Sequence, residues 1–301
     1  MRKTSIPQRT PFLAVVALMT LGLTAPLHAA PFPPLTTPAT TEHLPGKLVW
    51  ADLFTSNPDA ATKFYCGLLG WTATTIDQKG KAYIIFRNNG ELVAGVAPRS
   101  AGKADQPSRW VGYVSVADMP GALAAAKDNG GSVRAPAKNF PDRGYQAIIW
   151  DNEQDPIGLL QSTSGDPADD QTVPGEWNWF QIYSKDPQAT SAFYHKTLGY
   201  DVAPETNSGR KSEFKLSSNG NPRGGIAGLP SGGDYRPSWL GVILVADMDK
   251  MLEKVPALGG KVLVEPRSAE FGSRFAIIQD STGGTVGLVQ YIETENPAKT
   301  P

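Results

Sequence analysis

The chain has little of what thiol and metal chemistry usually require. Among its 301 residues are one cysteine, Cys66, and three histidines. One cysteine excludes a disulfide within the chain and a cysteine-based metal cluster. If residues 1–29 are removed, only His43 and His195 remain, which argues against an iron site of two histidines and one carboxylate. We expect His195 to be an exposed residue of a helix.

The chain also lacks a run of basic residues. It has 28 Lys and Arg against 29 Asp and Glu, a net charge of −1, so we expect no nucleic-acid partner. The glycine-rich stretch at residues 224–233 lacks the Lys-Ser/Thr ending of a phosphate loop. No G-x-S-x-G motif occurs, which argues against the common serine nucleophile.

There is one long apolar run, FLAVVALMTLGLTA, at residues 12–25. Three basic residues precede it and small residues follow it, which is typical of a signal peptide and too short for a useful membrane span. We predict cleavage after Ala29, a periplasmic or secreted mature protein without a membrane span, and a mature net charge of −4. An uncleaved anchor is the alternative.

A long internal repeat divides the chain. WADLFTSNPDAATKFYCGLLGW at residues 50–71 returns as WFQIYSKDPQATSAFYHKTLGY at residues 179–200, an offset of 129. The same offset, with one small slip near residue 90, relates further pairs: Trp110 and Trp239, Asp118 and Asp247, Gly130-Gly131 and Gly259-Gly260, Asp151 and Asp280. A match sustained over more than a hundred residues predicts two homologous domains.

Composition sets the expected boundaries. The Asp/Pro/Gly-rich stretch TSGDPADDQTVPG is typical of a linker, and the Pro/Thr-rich segment that begins PFPPLTTPATT is typical of a flexible leader. The predicted organisation is a signal peptide at 1–29, a flexible leader at 30–46, a first domain at 47–162, the linker at 163–175, a second domain at 176–292 and a tail at 293–301.

Within each domain a strand, a helix and several strands occur twice. In the first domain LVWADLFT alternates as a strand, Asn57 is a good N-cap, Pro58 suits the first helical position, and Gly70 ends the helix. Four apolar residues share one face of this helix: Ala61, Phe64, Tyr65 and Leu68. The strand WVGYVSVAD and the helix MPGALAAAKDNGG begin the second half. We expect the helices to cover one face of a sheet and to leave the other face free.

These motifs resemble the vicinal oxygen chelate superfamily, which includes glyoxalase I, extradiol dioxygenases and bleomycin-resistance proteins. The resemblance rests on Asn57-Pro58 and Asp186-Pro187 with their following Phe-Tyr pairs, on VSVADM and ILVADM, and on DSTGGTVGLVQ at residues 280–290. It covers residues 47–292. It implies an α+β fold of tandem glyoxalase-like domains, each made of two βαβββ modules that form a cup-shaped mixed sheet with the helices outside.

The resemblance also implies where a divalent metal would be held. Metal-dependent members use His, Gln or Glu on particular strands, and the matching positions in this chain are Asp52, Val111 and Gly158 in the first domain and Gln181, Leu240 and Gly287 in the second. At most one ligand therefore survives in each domain, whereas a catalytic site usually has three protein ligands. We predict no metal and no other cofactor. An oxygen-only Mg²⁺ or Mn²⁺ site that joins Asp52 to Glu91, Glu153 or Asp155 is the alternative.

Strand alternation indicates what lines each cup. It places Trp50, Asp52 and Phe54 on one face of the first sheet, where Val111 and Tyr113 join them. The equivalent face of the second sheet carries Trp179, Gln181 and Tyr183. Aromatic walls around one polar group are typical of a small-molecule pocket. The alternative is that these aromatic residues only fill the core.

Three functions remain open from the sequence. The first is an exported, metal-free protein that binds a small, partly aromatic molecule in a cup. The second is a glyoxalase-like lyase or isomerase that uses Asp52 as a catalytic base or holds a divalent metal through oxygen ligands. The third is a structural module with filled cups. The sequence leaves open whether the domains pair within one chain or in a homodimer.

Overall fold

The repeat folds as two eight-stranded sheets with the same strand order. The structure, a computed structural model, describes residues 31–78, 80–99, 106–205, 214–232, 235–269 and 272–292. The predicted signal peptide and the tail at 293–301 lie outside the described residues. Both sheets are mixed, and each domain carries two helices. The predicted α+β fold of tandem βαβββ modules is confirmed.

The first domain contains β1 Leu48–Thr55, α1 Pro58–Leu69, β2 Thr72–Asp77, β3 Ala82–Asn88, β4 Glu91–Pro98, β5 Arg109–Ser115, α2 Met119–Asp128, β6 Ser132–Phe140, β7 Gly144–Trp150 and β8 Pro156–Ser162. The second domain contains β9 Trp177–Ser184, α3 Pro187–Leu198, β10 Asp201–Pro204, β11 Phe214–Ser218, β12 Asn221–Gly228, β13 Ser238–Leu244, α4 Met248–Ala257, β14 Lys261–Ala269, β15 Ser273–Gln279 and β16 Thr285–Tyr291.

The strand order places the two modules of a domain side by side. The first sheet runs β2-β3-β4-β1-β5-β8-β7-β6, and the second runs β10-β11-β12-β9-β13-β16-β15-β14. β1 is parallel to β4 and antiparallel to β5, the first strand of the next module. The centre of each sheet is therefore built from the first strands of its two modules.

The helices begin and end where the local sequence predicts. Asn57 Oδ1 accepts a hydrogen bond from the backbone of Ala60 at 3.1 Å, and Asp186 does the same at the start of α3. Gly70 ends α1 with φ +75°, a left-handed conformation that favours glycine. Among the described residues, no helix is long and apolar enough to cross a bilayer.

The helix-bearing faces of the two sheets pack against each other. One hydrophobic cluster joins the first module of the first domain to the second module of the second domain, with Leu53 and Phe64 beside Ile243 and Met248. A second cluster joins the two remaining modules in the same diagonal way. Each module thus completes its core with a module of the other domain, and the opposite sheet faces, the two cups, point away from the interface.

Two buried hydrogen bonds cross this interface in reciprocal positions. The hydroxyl of Tyr65 on α1 donates to Asp280 Oδ2 at 2.9 Å, and the hydroxyl of Tyr194 on α3 donates to Asp151 Oδ2 at 3.2 Å. All four residues belong to the internal repeat. A buried carboxylate requires such donors, because an unpaired one is strongly unfavourable in an apolar interior.

Two repeated glycines allow the two domains to pack closely. Phe64 lies against Gly260, where a Cβ atom would come within 2.5 Å of its Cε2. Phe193 lies in the same way against Gly131, at 2.9 Å. No larger residue fits either position without displacing an aromatic ring or backbone. The domain interface therefore explains the second glycine of each Gly-Gly pair, whereas the first, Gly130 or Gly259, has a positive φ that favours glycine.

Composition predicts a flexible leader at residues 30–46, and the structure differs. Residues 31–46 lie along the first domain and the linker: the backbone N–H of Thr40 donates to Ser164 O at 2.8 Å, and that of Asp166 donates to Glu42 O at 2.8 Å. The leader is poor in large apolar residues, so pattern alone indicates disorder. Its partners come from the linker, which composition also marked as irregular.

Removal of the hydroxyl should cost more stability at Tyr65 than at Tyr194. The Tyr65 hydroxyl also accepts from Trp110 Nε1 at 2.7 Å, whereas Trp239 Nε1, the repeat equivalent, has no hydrogen-bond partner among the described residues. Tyr65→Phe leaves two buried groups unpaired and Tyr194→Phe leaves one. We expect urea unfolding to give a loss of about 2–4 kcal/mol for Tyr65→Phe and a loss smaller than that by about 1 kcal/mol for Tyr194→Phe.

The exposed Tyr145→Phe is the matched control and should be neutral within about 0.5 kcal/mol. Equal losses from the two buried tyrosines, or a larger loss from Tyr194, would contradict this description of the interface.

Asp155 makes the stability of the interface depend on pH. Its Oδ2 accepts from the backbone N–H of Trp239 at 2.5 Å, and its Oδ1 lies 3.3 Å from Arg109 Nη1. Burial raises the pKa of Asp155 from 3.8 to about 7. Because the folded state keeps a proton that the unfolded chain releases, the free energy of unfolding falls as the pH rises from about 4 to about 7.

We expect Asp155→Asn to remove this loss. The free energy of unfolding of Asp155→Asn minus that of the wild type should be larger at pH 8 than at pH 5 by on the order of 2 kcal/mol. Urea unfolding of both proteins at both pH values measures this difference. Asp170→Asn, in the exposed part of the linker, is the control. A difference between Asp155→Asn and wild type that does not change with pH would show that Asp155 is ionised throughout.

Candidate functional site

The first cup is the face of the first sheet opposite its helices. Trp50 and Asp52 project from β1 at its centre, with Trp50 paired to Tyr113 and Asp52 paired to Val111 on β5. On the other side Asp52 is paired to Gly95 of β4. The predicted residues Trp50, Asp52 and Tyr113 are thus brought together in a row across the centre of the sheet.

Asp52 lies in a closed polar network at the floor of this cup. It is 5% exposed. Its Oδ1 accepts from Trp50 Nε1 at 2.8 Å and from the Tyr83 hydroxyl at 2.5 Å. The Tyr113 hydroxyl also interacts with this carboxylate. The network places three aromatic donors around one carboxylate.

Burial dominates the electrostatics of the network. It raises the pKa of Asp52 above its ordinary value, and the hydrogen bonds from Tyr83 and Trp50 oppose only part of that effect. Burial and the neighbouring carboxylate together raise the pKa of Tyr83 and of Tyr113 well above the ordinary value, so both phenols stay protonated and act as donors.

Arg143 is a member of the site that the sequence analysis missed. It lies in the turn between β6 and β7 and is 0% exposed. Its guanidinium carbon lies 4.2 Å from the ring centroid of Trp50, and its Nε donates to the backbone carbonyl of Pro33 at 2.6 Å. Its Nη1 and Nη2 are buried without a hydrogen-bond partner among the described residues. Burial lowers the pKa of Arg143.

A signal for Arg143 was present in the repeat. At the 129-residue offset Arg143 corresponds to Gly272. Where one copy of the repeat has a charged residue and the other copy has a glycine, the two domains differ in chemistry. Tyr83 was missed because its approach to Asp52 depends on the pairing of β3 with β4, which the sequence pattern does not give.

Phe54 is only loosely part of the predicted set. It follows Asp52 on the same face, opposite Arg109 and Ala97, and is half-buried. It is not among the partners of Asp52. The predicted cluster therefore has its centre at Trp50 and extends toward Tyr83 and Arg143 rather than along β1 toward Phe54.

The second cup differs in chemistry and in exposure. Trp179, Gln181 and Tyr183 lie at the predicted positions on β9 and are half-buried. Trp179 Nε1 donates to Gln181 Oε1 at 3.4 Å, and Val242 occupies the position of Tyr113. With an amide for the carboxylate and Gly272 for Arg143, this cup lacks the charged pair of the first.

The residues around Asp52 do not fit the metal centre that the fold family implies. A side chain at Gly95 would clash with the Tyr83 hydroxyl and with Asp52, and a side chain at Gly158 would overlap the ring of Tyr113. The two tyrosines thus occupy the space from which further ligands would reach a metal. The alternative oxygen-only site is not assembled, because Glu153 and Asp155 bond to the second domain. Glu91 is exposed at the start of β4, four residues before Gly95, the partner of Asp52.

The rest of the described chain offers no substitute for that centre. Within these ranges no group of three His, Cys, Asp or Glu side chains is placed to hold a metal ion. His195 is exposed on α3, as predicted, with its Nδ1 2.7 Å from Tyr200 O.

Curated relatives match nearly their whole length. "Putative glyoxylase CFP32" of Mycobacterium tuberculosis (strain CDC 1551 / Oshkosh) is 28% identical over 256 residues, which cover 84% of this chain and 98% of the relative. "Anthracycline biosynthesis protein DauV" of Streptomyces sp. (strain C5) is 28% identical over 268 residues, which cover 84% and 96%.

Solved structures support the fold. The Mn(II)-bound glyoxalase from Novosphingobium aromaticivorans superposes with a TM-score of 0.59 at 14% identity and covers 83% of this chain and 84% of its own. The 2,3-dioxygenase LapB from Pseudomonas sp. KL28 gives 0.57 at 14% identity, with 87% and 97% covered. At these identities the likeness concerns the fold alone.

The family assignment rests on both halves of the repeat. The family model for the Glyoxalase/Bleomycin resistance protein/Dioxygenase superfamily matches residues 47–160 and again residues 177–288. The two matches coincide with the two sheets and together cover most of the chain. This chain therefore belongs to the Glyoxalase/Bleomycin resistance protein/Dioxygenase superfamily, as a member with two tandem domains.

Proposed function

We propose that this protein is an exported glyoxalase-like protein that binds a small, partly aromatic molecule in its first cup. The observation that carries the proposal is the buried pair of Asp52 and Arg143 among Trp50, Tyr83 and Tyr113. Charged side chains enclosed by aromatic rings are unfavourable for stability alone, since taking a charge out of water requires compensation. Such groups are typical of ligand sites, where they orient a bound molecule.

The difference between the cups favours the first as the binding site. The second cup has equivalent aromatic walls in Trp179 and Tyr183 but Gln181 in place of the carboxylate. Aromatic walls supply affinity, and polar groups supply orientation. A ligand that needs both is better served where Asp52 and Arg143 face the same space.

The nature of the ligand is also supported by one relative. DauV is named for anthracycline biosynthesis, and anthracyclines are aromatic molecules.

The apolar run at residues 12–25 supports export, with cleavage after Ala29 and a periplasmic or secreted location. No nucleic-acid partner is proposed. A homodimer stays open as a prediction.

A second function is favoured by the state of Asp52. A carboxylate whose pKa is raised by burial among aromatic side chains is suited to accept a proton from a bound substrate. In this reading the protein is a lyase or isomerase, a function that the name glyoxylase of CFP32 supports. Asp52 would take the proton, and once its carboxyl group is neutral the Tyr83 and Tyr113 hydroxyls, which each have one proton to donate, would turn from Asp52 to the oxygen that gains charge.

A third function, a purely structural module, is the least supported. The floor of the first cup is closed, with Trp50 and Tyr113 only 2% and 4% exposed. Part of the cover comes from the leader rather than from the sheet itself, because Phe32 and Leu35 pack on this face. A cup that filled itself for stability would not need a buried arginine with unpaired nitrogens.

The cup assignment predicts unequal effects from equivalent substitutions. For an aromatic probe found by calorimetric screening, Trp50→Ala or Tyr113→Ala should weaken binding about ten- to hundredfold, because each removes an aromatic contact worth about 1–3 kcal/mol. Trp179→Ala is the matched control in the second cup and should leave affinity within about threefold of wild type. Equal losses in both cups would argue against a site in the first cup alone.

The enzymatic alternative has its own test. If Asp52 is a base that acts without a metal, Asp52→Asn should lower turnover at least about a hundredfold, and treatment with a chelator should leave turnover and melting temperature unchanged. Elemental analysis of the purified protein should find far less than one transition metal per chain. One tightly bound metal per chain, lost together with stability on chelation, would overturn the metal-free proposal.

A further inference from the structure

The leader carries an aromatic side chain onto the first cup. Phe32 lies edge-on to Tyr83, with ring centroids 4.6 Å apart, and edge-on to Phe140 at 4.7 Å. The next residue, Pro33, accepts the hydrogen bond from Arg143 Nε at 2.6 Å. The leader therefore presents to the cup an aromatic ring beside a hydrogen-bond acceptor.

The acceptor satisfies only part of what Arg143 offers. A guanidinium has five N–H donors in a planar fork. One is bonded to Pro33, while Nη1 and Nη2 are without a partner among the described residues and without contact with solvent. Two adjacent unpaired nitrogens on a fully buried cation are unfavourable, and an acceptor with two oxygens would satisfy both of them.

Asp52 is not that acceptor. Its Oδ1 is bonded to Trp50 Nε1 and to the Tyr83 hydroxyl, and neither of its oxygens is hydrogen-bonded to an Arg143 Nη atom. The Arg143 guanidinium lies against the Trp50 ring, with its carbon 5.8 Å from the ring centroid of Phe32 and its Nε bonded to Pro33 O, so an acceptor that approaches from the leader's side must displace residues 31–34. Residues 31–34 thus place against Arg143 an aromatic ring, that of Phe32, and a carbonyl acceptor, that of Pro33. A ligand that pairs with Arg143 would need the same two groups.

We propose that residues 31–34 are a displaceable internal occupant of the first cup and that the ligand is an aromatic carboxylate, whose ring takes the place of Phe32 and whose carboxylate binds the Nη atoms of Arg143. This inference rests on the proposed binding function and names its ligand class. A carboxylate matches the guanidinium fork with two parallel hydrogen bonds, which an amide or alcohol cannot do.

The attachment of the leader suits this exchange. The backbone N–H of Leu35 donates to the Ser164 hydroxyl at 2.9 Å, and the Thr36 hydroxyl donates to Ser164 O. These bonds hold the leader just behind the occupant, so residues 31–34 can leave the cup while the remainder stays in place. Cleavage after Ala29, as expected from the sequence, would make this segment the free end of the mature chain.

The test measures binding of 3-phenylpropanoate and of its neutral analogue 3-phenylpropionamide to the purified full mature chain by calorimetry. Phe32→Ala should bind both probes about tenfold tighter than wild type, because the apparent affinity equals the intrinsic affinity multiplied by the fraction of time in which the occupant leaves the site empty. Thr41→Ala, an exposed leader substitution, is the matched control and should bind as wild type does.

Arg143 is tested in the opened background. Phe32→Ala should prefer the acid over the amide by at least about tenfold, and the double variant Phe32→Ala/Arg143→Gln should lose that preference while it still binds the amide. Circular dichroism melting of every variant checks that the fold is intact. The double variant keeps the test valid if Arg143→Gln alone loosens the leader.

Three outcomes would overturn the inference in different ways. Equal affinity of wild type and Phe32→Ala would make the leader a fixed wall rather than an occupant. Binding without preference for the acid would show that the Arg143 nitrogens do not receive a carboxylate. If no folded variant binds either probe, and a wider screen of aromatic compounds also fails, the proposed binding function fails together with this inference.

Discussion

The reciprocal hydrogen bonds between Tyr65 and Asp280 and between Tyr194 and Asp151 are the constraint on which the rest of the structure depends. Each bond lies in a core that two diagonal modules share, so neither domain completes its interior alone. A buried carboxylate and a buried phenol fix each other's position, because any shift of one domain leaves both groups unpaired. The orientation of the two sheets, and with it the outward direction of both cups, follows from these contacts.

This arrangement explains which parts of the repeat are kept and which differ. The repeated Phe-Tyr pairs contact the other domain through the second glycine of each Gly-Gly pair and through Asp151 and Asp280, where the pseudo-twofold relation requires the same residues twice. The cups face away from the interface and are free of that requirement. Asp52 and Arg143 in the first cup therefore have Gln181 and Gly272 as their counterparts, and the chemistry of the two cups has diverged.

The sequence was sufficient for the fold and for the centre of the candidate site. Alternation along β1 correctly placed Trp50 and Asp52 on one face, since the side-chain period of a strand is fixed by its geometry. It could not find Arg143, which comes from a turn and reaches the cup through tertiary structure. The packed leader was missed as well, because its hydrogen bonds are made to Ser164 and Asp166, more than a hundred residues away. Local patterns contain no information on such long-range partners.

These features support one proposal, that the first cup is a ligand site occupied by the protein's own leader until a ligand displaces it. A crystal structure of the mature protein grown with 3-phenylpropanoate tests it most directly. We predict that the probe's carboxylate lies about 2.7–2.9 Å from both Nη atoms of Arg143. Its ring should lie near Tyr83 and Phe140, with Phe32 displaced. A structure with Phe32 still seated between those rings, and the probe absent from the first cup or bound beside Gln181 in the second, would contradict it.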